Sequence, residues 1–260
     1  MLIAFRPMLL AVMVSRMNEQ THPVSTDPAI LVRDLRKDFG FLQALSGISF
    51  DLNTGDFLTI FGPNGAGKTT LIKILSGLTR PTSGVARVAG FDALGADVRL
   101  RREIGVISHA SCLYLDLTAF ENLLFYAKLY SLEDPEDKAK QAIGEIGLKL
   151  RSNDRVGTFS RGMQQRLSIA RAILHDPSIL FLDEPFTGLD LKATNTLKEH
   201  LHKLHTSKRT LVMTTHDISC GLEMCDKVAI QNQGKFVLME SLDRIDRENF
   251  ENIYAKALEG

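Results

Sequence analysis

The chain has 260 residues, 44% of them hydrophobic, which suits one large domain or two small ones around a buried core. Lysine plus arginine number 31 and aspartate plus glutamate number 31, so the formal charge is zero and no basic field exists to hold a long nucleic acid. Three cysteines, Cys112, Cys220 and Cys225, show no C-x-x-C spacing and fit a reducing compartment with ordinary, mostly buried thiols rather than a metal or disulfide framework.

The N-terminal stretch MLIAFRPMLLAVMV is apolar but broken by Arg6 and Pro7, which leaves only Met8 to Val14 uninterrupted. That run is far short of the roughly 20 residues a membrane-spanning helix needs. It also lacks a separate basic region before it and a small-x-small cleavage site after it. Residues 1–28 are therefore expected to form a flexible extension, with Met17 as an alternative start and a membrane-surface anchor as the competing reading. No other segment approaches transmembrane length, so a membrane role would have to come through a partner.

From Ala29 the pattern becomes regular. AILVRDL reads as a strand, LSGISFDL alternates apolar and polar residues, and Asn53, Thr54 and Gly55 form a turn before the strand DFLTIF. PTSGVARVAG supplies a further turn and short strand, and REIGVIS one more. Asp116 to Leu150 reads instead as helices. Thr118 and Glu121 make a capping box, Asp134 caps a second helix with Pro135 at its first position, and Gly147 stops it. A helix to about Leu174, the strand SILFLD, a helix through Leu197, Leu201 and Leu204, the strand TLVMTT, another helix and KVAIQNQGKFVLME follow. Strands alternating with helices predict a parallel sheet covered on both faces. The terminal FENIYAKALE is amphipathic, with Phe250, Ile253, Tyr254 and Leu258 placed to pack on the core, binding of a regulator being the alternative. His200, His202 and His205 are spaced so that they do not share one helical face, and no metal site is expected there.

Three stretches carry chemistry. The first, GPNGAGKTT, matches G-x-x-x-x-G-K-[ST] between a strand and an apolar helix. In it the glycines Gly62, Gly65 and Gly67 let backbone N–H groups surround phosphates, with Pro63, Asn64 and Ala66 completing the loop, Lys68 reaches the terminal oxygens, Thr69 offers a hydroxyl to Mg2+, and Thr70 continues into the helix. The second, ILFLDEP, ends an apolar strand in two carboxylates. Asp183 is placed to hold Mg2+ and Glu184 to polarise a water against the γ-phosphate. In the third, FSRGMQQR, Ser160 caps a helix beginning at Arg161, and Gly162 lets its backbone approach an anion. If that helix start lies on a mobile insert, across the molecule from Lys68, it must serve a partner's nucleotide.

With these landmarks in order over residues 29 to 240, the chain resembles the nucleotide-binding subunit of an ABC transporter. The resemblance implies an α/β fold: a phosphate-loop NTPase core with a parallel sheet, an antiparallel β subdomain and an inserted helical subdomain at about 110–165, followed by a helical tail over 241–260. It implies that Phe39 stacks on adenine, that FSRGMQQR is the family signature and that Thr187 to Asp190 form the loop facing the other subunit. His216, 33 residues after Asp183, corresponds to the switch histidine at the γ-phosphate. It further implies ATP and Mg2+ as ligands, a head-to-tail dimer with a second ATPase subunit, and an integral membrane permease at the cytoplasmic face of the inner membrane.

Three positions depart from the family pattern. Arg161 and Met163 replace a glycine and the glutamine of the usual L-S-G-G-Q, while Ser160 and Gly162 remain. His109 stands where the family has a glutamine that touches Mg2+ and the attacking water, and imidazole is a poor Mg2+ ligand. His109 is therefore expected to act through a water or mainly to sense the membrane partner; if its protonation matters, ATPase activity should titrate between about pH 6 and 7. An unchanged pH profile in His109→Gln would count against a role for that protonation. The wording of ISH…LYLDLTAFENLLFYAKLY and of the signature-to-TGLD segment is closest to exporters, in particular haem exporters of cytochrome c maturation. Exporters of lipids, drugs or polysaccharides are the alternatives. A non-transport ABC ATPase on ribosomes or DNA fits less well, given one domain, no heptad run and no net positive charge. A kinase or GTPase would make Ser160, Gly162, Asp190 and His216 coincidences.

Overall fold

A computed structural model describes residues 27–95, 97–108, 112–206 and 208–259; most of the expected N-terminal extension, and His109, lie outside them. Strand β1 (Ile30–Phe39) pairs antiparallel with β2 (Leu42–Leu52) and with β4 (Ser83–Val88), and β4 with the short β5 (Phe91–Asp92). Ile30, Val32 and Leu35 of β1 and Ile48, Phe50 and Leu52 of β2 are buried, so one face of this sheet is core and the other is polar.

The second sheet has the order β10-β9-β3-β8-β7-β6 and contains β3 (Phe57–Phe61), β6 (Ile104–Ile107), β7 (Ile179–Asp183), β8 (Thr210–Thr215), β9 (Lys227–Asn232) and β10 (Lys235–Ser241). From β9 to β6 it is parallel, and every residue of β3, β7 and β8 is buried, as expected when helices cover both faces. Leu58 and Ile60 of β3 point into a core shared with α1 (Lys68–Leu75) and the first sheet. Phe57 and Phe61 point the other way, toward Leu197, Leu201 and Leu204 of α6 (Leu191–Thr206). The parallel register places the carboxyl ends of β3, β7 and β8 side by side, with Phe61 opposite Thr215 and Asp183 opposite Thr214. Whatever follows those three strands therefore meets at one edge.

A third cluster joins α3 (Ala119–Leu129), α4 (Pro135–Glu145) and α5 (Arg161–Ile173) through Leu123, Ala139, Ile143, Ile146 and Leu167. The Thr118–Glu121 capping box forms, and α4 ends with Leu148 N–H on Ile143 O and Gly147 N–H on Gly144 O, a Schellman stop around the predicted glycine. Asp134 is corrected: it precedes α4 with φ 49° and ψ 56° and makes no side-chain cap bond, so Pro135 and the acidic first turn start the helix. REIGVIS is a strand only over Ile104–Ile107: Arg102 and Glu103, expected in it, close α2 (Val98–Glu103), whose Asp97 cap accepts from Arg99 N. Cys112 is exposed rather than buried, while Cys220 and Cys225 are buried, and burial pushes the Cys225 thiol up to about 11.

The stretch 227–241 folds as a hairpin, turning at Gln233 and Gly234 with φ 45° and 77°. After α7 (Ile218–Met224), the terminal α8 (Phe250–Glu259) packs as its stripe predicts. Phe250 is fully buried against Phe61 with ring centroids 5.2 Å apart, and Asn232 Nδ2 donates to Leu258 O at 3.3 Å. His200 and His205 engage Thr196 O and Gly55 O separately.

His175, just beyond α5, stacks on Tyr130 of the helical cluster with centroids 3.8 Å apart and shares a hydrogen bond with Ile104 O at 3.0 Å. Burial holds its imidazole below the ordinary histidine range. The stability this neutral ring contributes is full above the unfolded imidazole value, about 6.5, and is lost as pH falls through the depressed folded value. The melting temperature should therefore drop on acidification from pH 7.5 to 5.5, and less steeply in His175→Phe. Equal slopes in the two proteins would remove His175 from the account.

Candidate functional site

The loop between β3 and α1 is shaped by what its glycines lack. A Cβ on Gly62 would stand 2.2 Å from Gln231 O, and one on Gly67, where φ is +102°, 2.3 Å from Ala44 O. Gln231 Nε2 and Gly234 N both donate to Ala66 O at 3.0 Å, gripping the loop from behind. Lys68 is 6% exposed, and its ammonium donates to Gly62 O at 2.6 Å and Pro63 O at 3.2 Å. Burial lowers its pKa, opposed by the carboxylates of Glu184 and Asp183. Above the loop opens a cavity of about 280 Å³ lined by Phe39, Leu42, Gln43, Ala44, Pro63 to Thr70 and Glu184. Phe39 is half exposed, with the Lys37 ammonium 4.6 Å from its ring centroid.

From the neighbouring strand ends come the acids. Asp183 Oδ1 accepts from Thr69 Oγ1 at 3.1 Å and from Thr214 Oγ1 at 2.7 Å. Glu184 follows in the left-handed region at φ 52°, an uncommon conformation for this residue, held by bonds from its N–H to Thr214 O and Oγ1. Its Oε1 lies 3.7 Å from Lys68 Nζ and its Oε2 2.8 Å from His216 Nδ1. Phosphate loop, acids and histidine thus converge on one edge, as the parallel order requires.

Ser160, Gly162 and Asp190 do not line that cavity. Ser160 caps α5, accepting from Met163 N at 3.3 Å, and Asp190 caps α6, accepting from Ala193 N at 2.8 Å. Arg161 lies on a separate cavity of about 220 Å³ with Gln165, Pro185, Thr187 and, again, Glu184. Sequence reasoning missed Thr214 and Gln231. Thr214 sits in TLVMTT and Gln231 in KVAIQN, where a polar residue inside an apolar run was the available signal.

The glycine cradle fits a phosphate chain, since any side chain would meet backbone oxygens, and the Thr69–Asp183 pair offers the oxygen donors that suit Mg2+. Such a fold and site define a phosphate-loop ATPase domain. Residues 45–187 match the family model described as ABC transporter. The chain is 35% identical over 206 residues to the linearmycin resistance ATP-binding protein LnrL of Bacillus subtilis (strain 168), covering 78% of this chain and 66% of that protein. It is 34% identical over 207 residues to the ABC transporter ATP-binding protein NatA of the same organism, covering 78% and 84%. An ATP-binding cassette solved as a dimer in a post-hydrolysis state bound to ADP and Pi superposes with a TM-score of 0.75 at 26% identity, over 82% of this chain and 98% of that one. The chain belongs to the ABC transporter family, as an ATP-binding cassette. Among the described residues no helix is long and apolar enough to cross a membrane.

Proposed function

We propose that this cassette hydrolyses ATP to drive export through a separate membrane permease, working at the cytoplasmic face of the inner membrane as one of two head-to-tail ATPase subunits. The observation that carries the chemistry is Glu184, poised between Lys68 at 3.7 Å and His216 at 2.8 Å above the phosphate loop. Lys68 exchanges the Gly62 and Pro63 carbonyls for phosphate oxygens, Phe39 stacks on the base, and Thr69 and Asp183 would hold Mg2+. Bound there, Mg2+ would neutralise charge on the phosphoryl oxygens. Glu184 accepts the proton of the attacking water, while His216 fixes the carboxylate's second oxygen and faces the γ-phosphate. Ser160 and Gly162, absent from this cavity, close on the nucleotide of the other subunit, and Asp190 lies on the loop between them. In this reading residues 29–240 form the cassette, with a helical insert at about 110–165 and a tail from 241.

Support for export comes from loop wording and from similarity to the Nod factor export ATP-binding protein I of Rhizobium sp. (strain N33), 35% identical over 212 residues. Haem, the cargo that the loop wording suggests, rests on that wording alone. Affinity purification of the tagged chain from gently solubilised native membranes, with mass spectrometry and an absorbance scan, tests both levels. A small integral membrane partner with haem is the expected result. An unrelated permease without haem would discard the cargo, and ribosomal or DNA-repair partners without a permease would discard the transport role.

A further inference from the structure

Arg161 stands where the family signature has a glycine, and its side chain has a defined seat. A Cβ built on Gly188, where φ is +76°, would lie 2.6 Å from Arg161 Nη1 and 3.7 Å from its Cδ, so the guanidinium and its stem fill the space beside the Gly188 backbone. One further bond joins the same two pieces of chain: Gln165 Nε2 donates to Pro185 O at 3.0 Å. Just past the loop, Ala193 closes the space beside Gly162, where an added Cβ would stand 3.0 Å from its methyl. The segment so tied begins directly after Glu184, and Arg161 and Glu184 line one cavity. A glycine at 161 could make no such contact, and a side chain at 188 would evict the guanidinium.

We propose that Arg161 is a positioning residue that links the start of α5 to the Glu184 loop within one chain. When the helix start moves, the guanidinium seated over Gly188 carries the 185–190 loop with it, and Glu184, already held in a left-handed conformation, is re-aimed. The link rests on the two-subunit reading above. If Ser160 and Gly162 close on the nucleotide of the other subunit, Arg161 makes each chain's general base responsive to its neighbour's occupancy, a coupling between two sites through one contiguous contact.

The test uses the full chain and measures ATPase rate against ATP concentration for the parent, Arg161→Ala, Arg161→Lys and Gly188→Ala, with melting temperatures as a check on folding. The parent should be cooperative. Arg161→Ala and Gly188→Ala should bring the Hill coefficient toward one and lower the maximal rate several-fold, and Arg161→Lys, which keeps stem and charge but not the planar fork, should fall between. A merely structural role would change melting temperature or maximal rate without touching cooperativity. Full cooperativity in both folded Arg161→Ala and Gly188→Ala overturns the link. In parallel, Glu184→Gln is run on size exclusion with ATP. A non-cooperative parent together with a Glu184→Gln protein that stays monomeric overturns the two-subunit reading and the link with it. A dimerising, cooperative parent beside unaffected variants overturns the link alone.

Discussion

Glu184→Gln should reduce ATP hydrolysis by roughly 10²–10⁴-fold, the usual worth of a general base, while nucleotide binding persists. The amide has nearly the same shape, so its oxygen can still accept from His216 Nδ1, which lies 2.8 Å from Glu184 Oε2. It cannot take a proton from water. The negative charge beside the Lys68 ammonium also disappears, which leaves that cation free for phosphate. Binding without turnover should make an ATP-bound dimer accumulate on size exclusion. A strictly monomeric Glu184→Gln protein with full activity would contradict both the base assignment and the two-subunit scheme.

Gly67→Ala should abolish measurable ATP binding, the second large effect. The new methyl would stand 2.3 Å from Ala44 O and 2.8 Å from Gln231 Nε2, and φ at this position is +102°. A non-glycine residue in so sparsely populated a region costs on the order of 1–3 kcal/mol before the clash is counted. Relief requires moving the loop away from β2 or from the Gln231 side chain, and either motion turns backbone N–H groups out of the cradle. Gly144→Ala is the matched control. It lies within α4 with nothing within 4 Å of the added carbon and no positive φ, so it should stabilise by about 0.4–1 kcal/mol and leave binding unchanged. Near-parental affinity of Gly67→Ala for a fluorescent ATP analogue would mean the cradle is not where phosphate sits.

Much of this architecture was legible because its signals are local. The all-buried strands Phe57–Phe61 and Ile179–Asp183 are apolar runs bounded by turns, and the Thr118–Glu121 and Ser160 caps are written in neighbouring residues. The phosphate loop follows from the eight consecutive letters Gly62 to Thr69. What escaped depends on register between distant segments. Thr214 reaches Asp183 only because β8 pairs with β7 at that residue, and Gln231 backs Ala66 only because β9 lies beside β3. Val98–Glu103 was hidden because a six-residue helix gives too little periodicity to stand out from the strand after it. Asp134 looked like a cap by residue type, yet its φ of 49° turns its side chain out of that role. The seat of Arg161 over Gly188 joins positions 27 residues apart in the sequence, and no one-dimensional pattern marks it.

Adjacent residues of β9 face opposite duties: Gln231 holds Ala66 of the phosphate loop, and Asn232 holds Leu258 in the last turn of α8. One strand end therefore sits mechanically in series between the nucleotide cradle and the terminal helix. A displacement of that helix would act, through two hydrogen bonds and one peptide unit, on the loop that reads the ligand. For any reporter meant to leave catalysis untouched, the exposed turn at Glu133 is the sounder point of attachment.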